Sequence, residues 1–242
     1  MSGASAASPP ILAIVGDGRM GRAVARLAAE RAWPVVATLG SAGNEGARAI
    51  TAERLADAEV AIEFTTAAAA PANVRALLRA GCPVVSGTTG WGAELPAVVA
   101  EAERCGGSLF YAANFSLGVA AFADLVERAA ASLARLPGFD AHIVETHHAA
   151  KRDAPSGTAR LLAERARAGA GHEPPITSVR VGAVPGTHEV VFDAPFEQVR
   201  LTHEARDRLL FADGALAAAA WLRGRRGVFG MRDLLASLAE RS

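Results

Sequence analysis

Ile11-Leu12-Ala13-Ile14-Val15-Gly16-Asp17-Gly18-Arg19-Met20-Gly21 is the stretch that decides the fold. Five apolar residues in succession have the length of a strand covered on both faces, as a parallel sheet between helices requires. The glycines that follow keep the G-x-G-x-x-G spacing, and an amphipathic helix then runs to about Arg31. Val35-Val36-Ala37 reads as a second strand. Strand, glycine loop, helix, strand is the order of a dinucleotide-binding unit. Its glycines permit a tight turn, close approach of a pyrophosphate, and close packing of helix on strand. Gly16, Asp17, Gly18, Arg19, Met20 and Gly21 are therefore the first candidate cofactor-binding residues.

The α/β rhythm continues outward. Val60 to Phe64, Pro83 to Ser86 and Ser108 to Tyr111 are strand-like, with helical patterns at Ala70 to Ala80 and Leu95 to Cys105. Ligands of open α/β sheets bind beyond the carboxyl ends of the strands. Two segments leave such ends: Gly87, Thr88 and Thr89, and Ala112, Ala113, Asn114 and Phe115. Both are candidates to line a nicotinamide ribose, although ordinary turns have the same composition. One part of the fingerprint is missing. An acid normally ends the second strand and grips the adenine ribose, but here the chain reads Thr38-Leu39-Gly40-Ser41-Ala42-Gly43-Asn44. Glu45 is the first carboxylate and Arg48 the nearest arginine, so the choice between NADH and NADPH is not legible.

Beyond Leu117-Gly118 the rhythm changes. A long helical pattern reaches about Arg135 and is closed by Pro137-Gly138. A strand from Phe139 to Thr146 leads to a helix from about Ser156 to Arg167, which Gly169-Ala170-Gly171 is expected to break. Alternating strands follow at Ile176 to Gly182, Thr187 to Asp193 and Glu197 to His203, with turns at Pro185-Gly186 and Ala194-Pro195. Helical patterns at Arg206 to Arg223 and Met231 to Glu240 end the chain. The expected architecture is α/β: a Rossmann-type dinucleotide-binding domain with a second α+β domain carrying a mostly antiparallel, mixed four-stranded sheet. The first domain is placed at residues 1–116 and the second at 117–210.

Composition narrows the function classes. The 242 residues carry 25 acidic and 25 basic side chains, which argues against nucleic acid or a membrane surface as partner. No apolar run reaches the roughly 18 residues of a membrane span. Residues 1–10 lack the charged and apolar regions of a signal peptide and read as a disordered tail. Cys82 and Cys105 show no metal or redox spacing and are expected to be buried small hydrophobes in a reducing compartment, so a cytoplasmic location is expected.

The titratable chemistry concentrates in Val144-Glu145-Thr146-His147-His148-Ala149-Ala150-Lys151-Arg152-Asp153-Ala154-Pro155-Ser156-Gly157-Thr158-Ala159. Ser156 can cap the next helix, whose first amides, those of Gly157 and Thr158, then form an anion site. Lys151 adds positive charge, and a histidine can exchange a proton near neutrality. The stretch reads as a pocket for a small carboxylate that must be protonated. A pair of satisfied strand-end histidines is the plainer alternative. A metal is not expected, because no third ligand sits at zincin or zinc-finger spacing. Ser156 lacks a nucleophile elbow and is explained as a cap.

Glu145 to Ala159 resembles the E-x-H-H-x-x-K-x-D-A-P-S-G-T-A signature of the 4-hydroxy-tetrahydrodipicolinate reductase (dihydrodipicolinate reductase) family. The resemblance extends to Gly16 to Gly21, Gly87 to Gly90, Asn114 to Gly118, Arg180 to Gly182, Gly186 to His188, Leu201 to His203 and Phe211 to Ala215. It implies an oxidoreductase that uses NADH or NADPH to reduce a cyclic unsaturated dicarboxylate in the diaminopimelate route to lysine. It further implies His147 as general acid, Lys151 as the group that holds or polarises the substrate, and His148, Gly157 and Thr158 as carboxylate contacts. A homotetramer built through the second domain's sheets is implied as well, as are substrate binding and oligomerisation by the unit at 117–210 and the return of the last helices, within 211–242, to complete the first domain. The chain departs from the family at the missing ribose acid, which points to relaxed cofactor affinity or a lean towards NADPH. Another two-domain NAD(P)-dependent dehydrogenase of a small carboxylate would share the glycine loop but not this signature. A non-catalytic dinucleotide sensor would have no need of a proton donor.

Overall fold

The computed structural model describes residues 8–240. The chain divides into two units, one made of the residues up to 115 together with those from 211 onward, the other of residues 116–210. Of the expected N-terminal tail, residues 1–7 lie outside the described residues.

In the first unit the strands are β1 (Leu12–Val15), β2 (Val35–Leu39), β3 (Val60–Glu63), β4 (Val84–Ser86) and β5 (Ser108–Tyr111). All pair in parallel, in the order β2-β1-β3-β4-β5. β1, β3 and β4 are buried along their whole length, which explains their apolar runs, broken only at the last residues of β3 and β4 by Glu63 and Ser86. The crossovers include helices α1 (Arg19–Glu30), α2 (Ala52–Leu55), α3 (Ala70–Arg79) and α4 (Leu95–Arg104). The stretch from Leu39 to Leu55 contains a 3₁₀ turn at Glu45–Ala47 and then α2, capped by Thr51, whose side chain accepts from the Arg54 N–H at 3.2 Å.

The second unit holds α5 (Leu117–Leu133), β6 (Asp140–His147), α6 (Gly157–Ala170), β7 (Ile176–Arg180), β8 (Thr187–Ala194) and β9 (Glu197–Glu204). Its sheet runs β7-β6-β8-β9, parallel only between β6 and β7. Ala141, Ile143, Val190 and Phe192 on one face pack with Phe122 and Val126 of α5 and Leu162 and Ala166 of α6. Gly169 does not break α6. A Cβ there would stand 2.3 Å from the Glu127 carbonyl oxygen, so the glycine instead lets α6 lie against α5. Gly171, left-handed at φ +85°, ends the helix.

The chain returns to the first unit through α7 (Leu209–Leu222), β10 (Gly227–Phe229) and α8 (Met231–Ala239). A Cβ on Gly214 of α7 would stand 1.7 Å from the Phe115 carbonyl oxygen, so this helix packs at backbone contact on the loop that leaves β5. β10 was not expected from the pattern. Its three residues carry no periodicity, and only the parallel ladder offered by β5, with Phe229 opposite Phe110, makes them a sixth strand. Cys82 is buried as expected, but Cys105 is exposed because it caps the solvent end of α4.

Candidate active site

In the first unit the glycine loop turns at the carboxyl end of β1. A Cβ on Gly16 would lie 2.0 Å from the Phe64 carbonyl oxygen, and one on Gly21 would lie 1.9 Å from that of Gly16. Bare backbone is therefore required at both places. Gly18 caps α1 without a side chain, no acid occupies the first turn, and the space around its Cα is open. A helix start of this kind attracts a phosphate. Gly16, Asp17 and Gly18 line a pocket of about 480 Å³ with Gly40, Ser41, Thr65 and Asn73. Arg19 is exposed, Met20 half-buried, and Gly21 buried. The residues present thus fit a dinucleotide.

The other predicted loops divide into surface and support. Thr89 and Ala113 are exposed and Asn114 is half-buried. Gly87 lies against the Phe64 ring, and the Phe115 ring is buried against Phe64 and Phe110. Ala112 is buried, and its N–H donates to the Ser86 carbonyl at 3.3 Å. Thr88, expected at the cofactor, is buried. Its hydroxyl donates to Glu63 Oε1 at 2.8 Å and accepts from the Thr65 N–H at 2.7 Å. Glu63 is fully buried at the end of β3 and also accepts from Ser86 at 2.6 Å and from the Thr65 hydroxyl. Burial pushes its carboxyl up, against the hydroxyl hydrogen bonds that favour the charge. Sequence reading passed over Glu63, although an acid inside a buried strand is a rare enough pattern to flag it.

In the second unit Glu145 and His147 point to the same face of β6, two residues apart. Ser178 and His188 sit directly opposite Glu145 on β7 and β8, and His203 opposite His188 on β9. A polar row thus crosses the sheet. Glu145 is fully buried and its Oε1 accepts from the Arg180 guanidinium at 2.7 Å and from the Ser156 N–H at 3.1 Å. Burial alone would raise its carboxyl, but hydrogen bonds from Ser178, Arg180 and Ser156 win and hold it at about 2. Its Oε2 lies 2.7 Å from His147 Nδ1, out of line for a hydrogen bond, a close contact that becomes an ion pair only when the imidazole is protonated. Burial, with Lys151 and Arg180 nearby, pushes His147 below the usual histidine value despite the pull of Glu145 in the other direction.

Lys151 Nζ donates to both oxygens of Asp153 at 2.7 and 2.8 Å, and an incoming carboxylate would compete with that acid. His148 is half-buried, and its N–H donates to the Val184 carbonyl at 2.8 Å. Ser156 caps α6 as expected, accepting from the Ala159 N–H at 3.1 Å. Gly157 is exposed and Thr158 half-buried at the first two positions of the helix. Three further residues escaped sequence reading as site members: Glu145, Arg180 and His188. Glu145 could have been found from its i, i+2 spacing to His147. Arg180 and His188 needed the strand register. Arg180 also donates to the Asp153 carbonyl at 2.6 Å, tying β7 to the Lys151 loop.

Glu145, His147 and His188 each bring one ligand atom within 4.8 Å of the others, a grouping that the spacing did not suggest. Arg180 and Lys151 already balance the carboxylate there, so the charge around the group suits an anion better than a further cation.

A parallel sheet with an open glycine loop at its first crossover is the architecture of a dinucleotide-binding oxidoreductase. Residues 11–115 match the family description "Dihydrodipicolinate reductase, N-terminus" and residues 118–235 its C-terminus counterpart. A protein of Xanthomonas campestris pv. campestris (strain B100), named 4-hydroxy-tetrahydrodipicolinate reductase, is 43% identical over 236 residues, covering 90% of this chain and 94% of that one. One of the same name from Stenotrophomonas maltophilia (strain K279a) is 41% identical over 231 residues, with the same coverage. The solved structure described as dipicolinate-bound dihydrodipicolinate reductase from Paenisporosarcina sp. TG-14 shares the fold. Its TM-score is 0.74 at 20% identity, over 93% of this chain and 99% of that one. The chain belongs to the dihydrodipicolinate reductase family.

Proposed function

We propose that this protein reduces 4-hydroxy-tetrahydrodipicolinate to tetrahydrodipicolinate in lysine biosynthesis, using NADH or NADPH and taking its proton from His147. The observation that carries the reading is the folded signature: Glu145 sets His147 at the end of β6, near Lys151 and ahead of the α6 start. The dihydronicotinamide supplies a hydride. Hydride addition to a conjugated C=N system leaves negative charge on the ring, and His147 delivers the proton that neutralises it. The Lys151 ammonium stabilises that developing charge. His148 and the amides of Gly157 and Thr158 take the carboxylates. In the resting protein His147 is held below its usual value. A docked dianion raises it, so the acid is charged where it is needed.

The domain assignment follows: the unit with the glycine loop binds the dinucleotide and the unit of residues 116–210 binds substrate. Its sheet face opposite α5 and α6 carries the subunit contacts of a homotetramer, a reading supported by exposed Val179 and Val181 at the β7 edge. Two unpaired cysteines support a cytoplasmic location, and no helix among the described residues is long and apolar enough to cross a membrane.

The test supplies enzymatically generated hydroxytetrahydrodipicolinate and follows the absorbance loss of NADH and NADPH in parallel. Oxidation of at least one is expected, and oxidation of neither would remove the reductase assignment. Sedimentation equilibrium decides the assembly: a stable monomer would contradict the tetramer.

A further inference from the structure

The acid missing from the end of β2 has a counterpart in space. Asp17 leaves the glycine loop and lays its carboxylate against the last residues of that strand. A Cβ on Gly40 would meet Asp17 Oδ2 at 2.7 Å and Cγ at 2.9 Å, and the Ser41 N–H lies 3.4 Å from Oδ1. Gly40 and Asp17 are thus coupled: the position where a strand-end acid would begin carries no side chain, and the loop carboxylate takes the room.

This carboxylate opens onto the pocket of about 480 Å³ that also takes in Gly16, Gly18 and Ser41. Of the residues lining that pocket only Asp17 and Glu45 carry charge, and both are acids. Two of the neighbouring cations are engaged, and a third, Arg19, is exposed and does not line the pocket. Arg22 donates to the Asp17 carbonyl at 2.7 Å, and Arg48 pairs with Glu45 and donates to the Gly43 carbonyl. A ribose 2′-hydroxyl can donate to a carboxylate, whereas a 2′-phosphate would meet like charge with no cation lining the pocket.

We infer that Asp17 is the specificity-determining residue for the adenine ribose and makes the protein select NADH over NADPH, the acid being supplied by the glycine loop in place of the strand end. The inference rests on the dinucleotide reading of the first unit and sharpens it. It reverses the lean towards NADPH that the missing strand-end acid suggested.

Binding, not turnover, tests it. The full-length protein is titrated with NADH and with NADPH, without substrate, by nicotinamide fluorescence and by calorimetry. Wild type is expected to bind NADH at least about tenfold more tightly. Asp17→Asn, an exposed and nearly isosteric change, is expected to bring the two affinities within about threefold of each other. Moving the acid, in Asp17→Gly with Gly40→Asp, is expected to restore the preference for NADH. Equal affinities in wild type, or an unchanged ratio in Asp17→Asn, would overturn the inference. Binding of neither nucleotide would instead strike at the dinucleotide reading itself.

Discussion

His147 lies between opposing fields. Burial, Lys151 and Arg180 favour its neutral form and Glu145 its charged form, with the neutral side ahead in the resting protein. A general acid works only while protonated, so kcat/KM, which reports the free enzyme, is expected to fall as pH rises through a value below the usual 6.5 or so. The fall in kcat, which reports the complex, should come at higher pH because bound carboxylates raise the pKa. Glu145→Gln removes the charge that favours imidazolium, so its kcat/KM limb is expected to move to still lower pH. His147→Ala should lose on the order of 10²–10⁴ in turnover with nucleotide affinity unchanged. Steady-state pH profiles with parallel nucleotide titrations check all of this, and a wild-type limb unmoved by Glu145→Gln would leave Glu145 a purely structural acid. His188 gives a separate signal. Burial, helped by the neighbouring His147, pushes it down to about 4. A histidine depressed on folding stabilises nothing by protonation; the unfolded chain takes the proton first. Stability should therefore hold above about pH 6.5 and decline towards pH 4, by on the order of 3 kcal/mol. Urea unfolding across that range checks it, and His188→Gln should flatten the slope.

At the scale of elements, the loops after β3 and β4 hang on one buried carboxylate. Glu63 gathers Ser86, Thr88 and Thr65, so the Gly87 turn is held from below while its exposed side stays open. Glu63→Ala leaves those hydroxyls without their acceptor. Nucleotide affinity is expected to drop about tenfold, with faster amide hydrogen exchange at Thr65. Unchanged affinity and exchange would show that the loops stand without it. The split between legible and illegible parts of the molecule runs through these same elements. Gly16 to Gly21 and the Ser156 cap were readable because a glycine step or a cap is a property of a few consecutive residues. Thr88 was legible only as a possible ligand contact, because its residue type suits that role and a buried strut equally well. Glu63, 25 residues from the Thr88 it supports, gave only its place in an apolar strand as a signal. Gly169 was misread for a similar reason: a glycine near a helix end looks like a stop unless the neighbouring backbone is known to lie 2.3 Å from its missing Cβ.

For the molecule as a whole, the first unit is closed by residues that return almost a hundred positions after its first segment ends. α7 reaches it through Gly214, and β10 extends the sheet at the β5 edge. Gly214→Ala is expected to cost about 3 kcal/mol or more, because neither the helix nor the Phe115 carbonyl can yield at backbone contact. Thermal unfolding checks this, and a variant as stable as wild type would show that α7 does not dock there. Taken by itself, the sequence determined the order of strands and helices up to α7, the change of rhythm that marks the second unit, and the residue types that can bind a dinucleotide and protonate a small carboxylate substrate. These follow from periodicity, glycine sterics and side-chain chemistry, all of short range along the chain. Tertiary structure alone decided the partners: His188 and Ser178 beside Glu145, Arg180 across to Asp153, Asp17 in the space that Gly40 leaves. Each of those pairings depends on strand register or on the approach of two distant backbones, and neither is encoded in the spacing of the residues it joins.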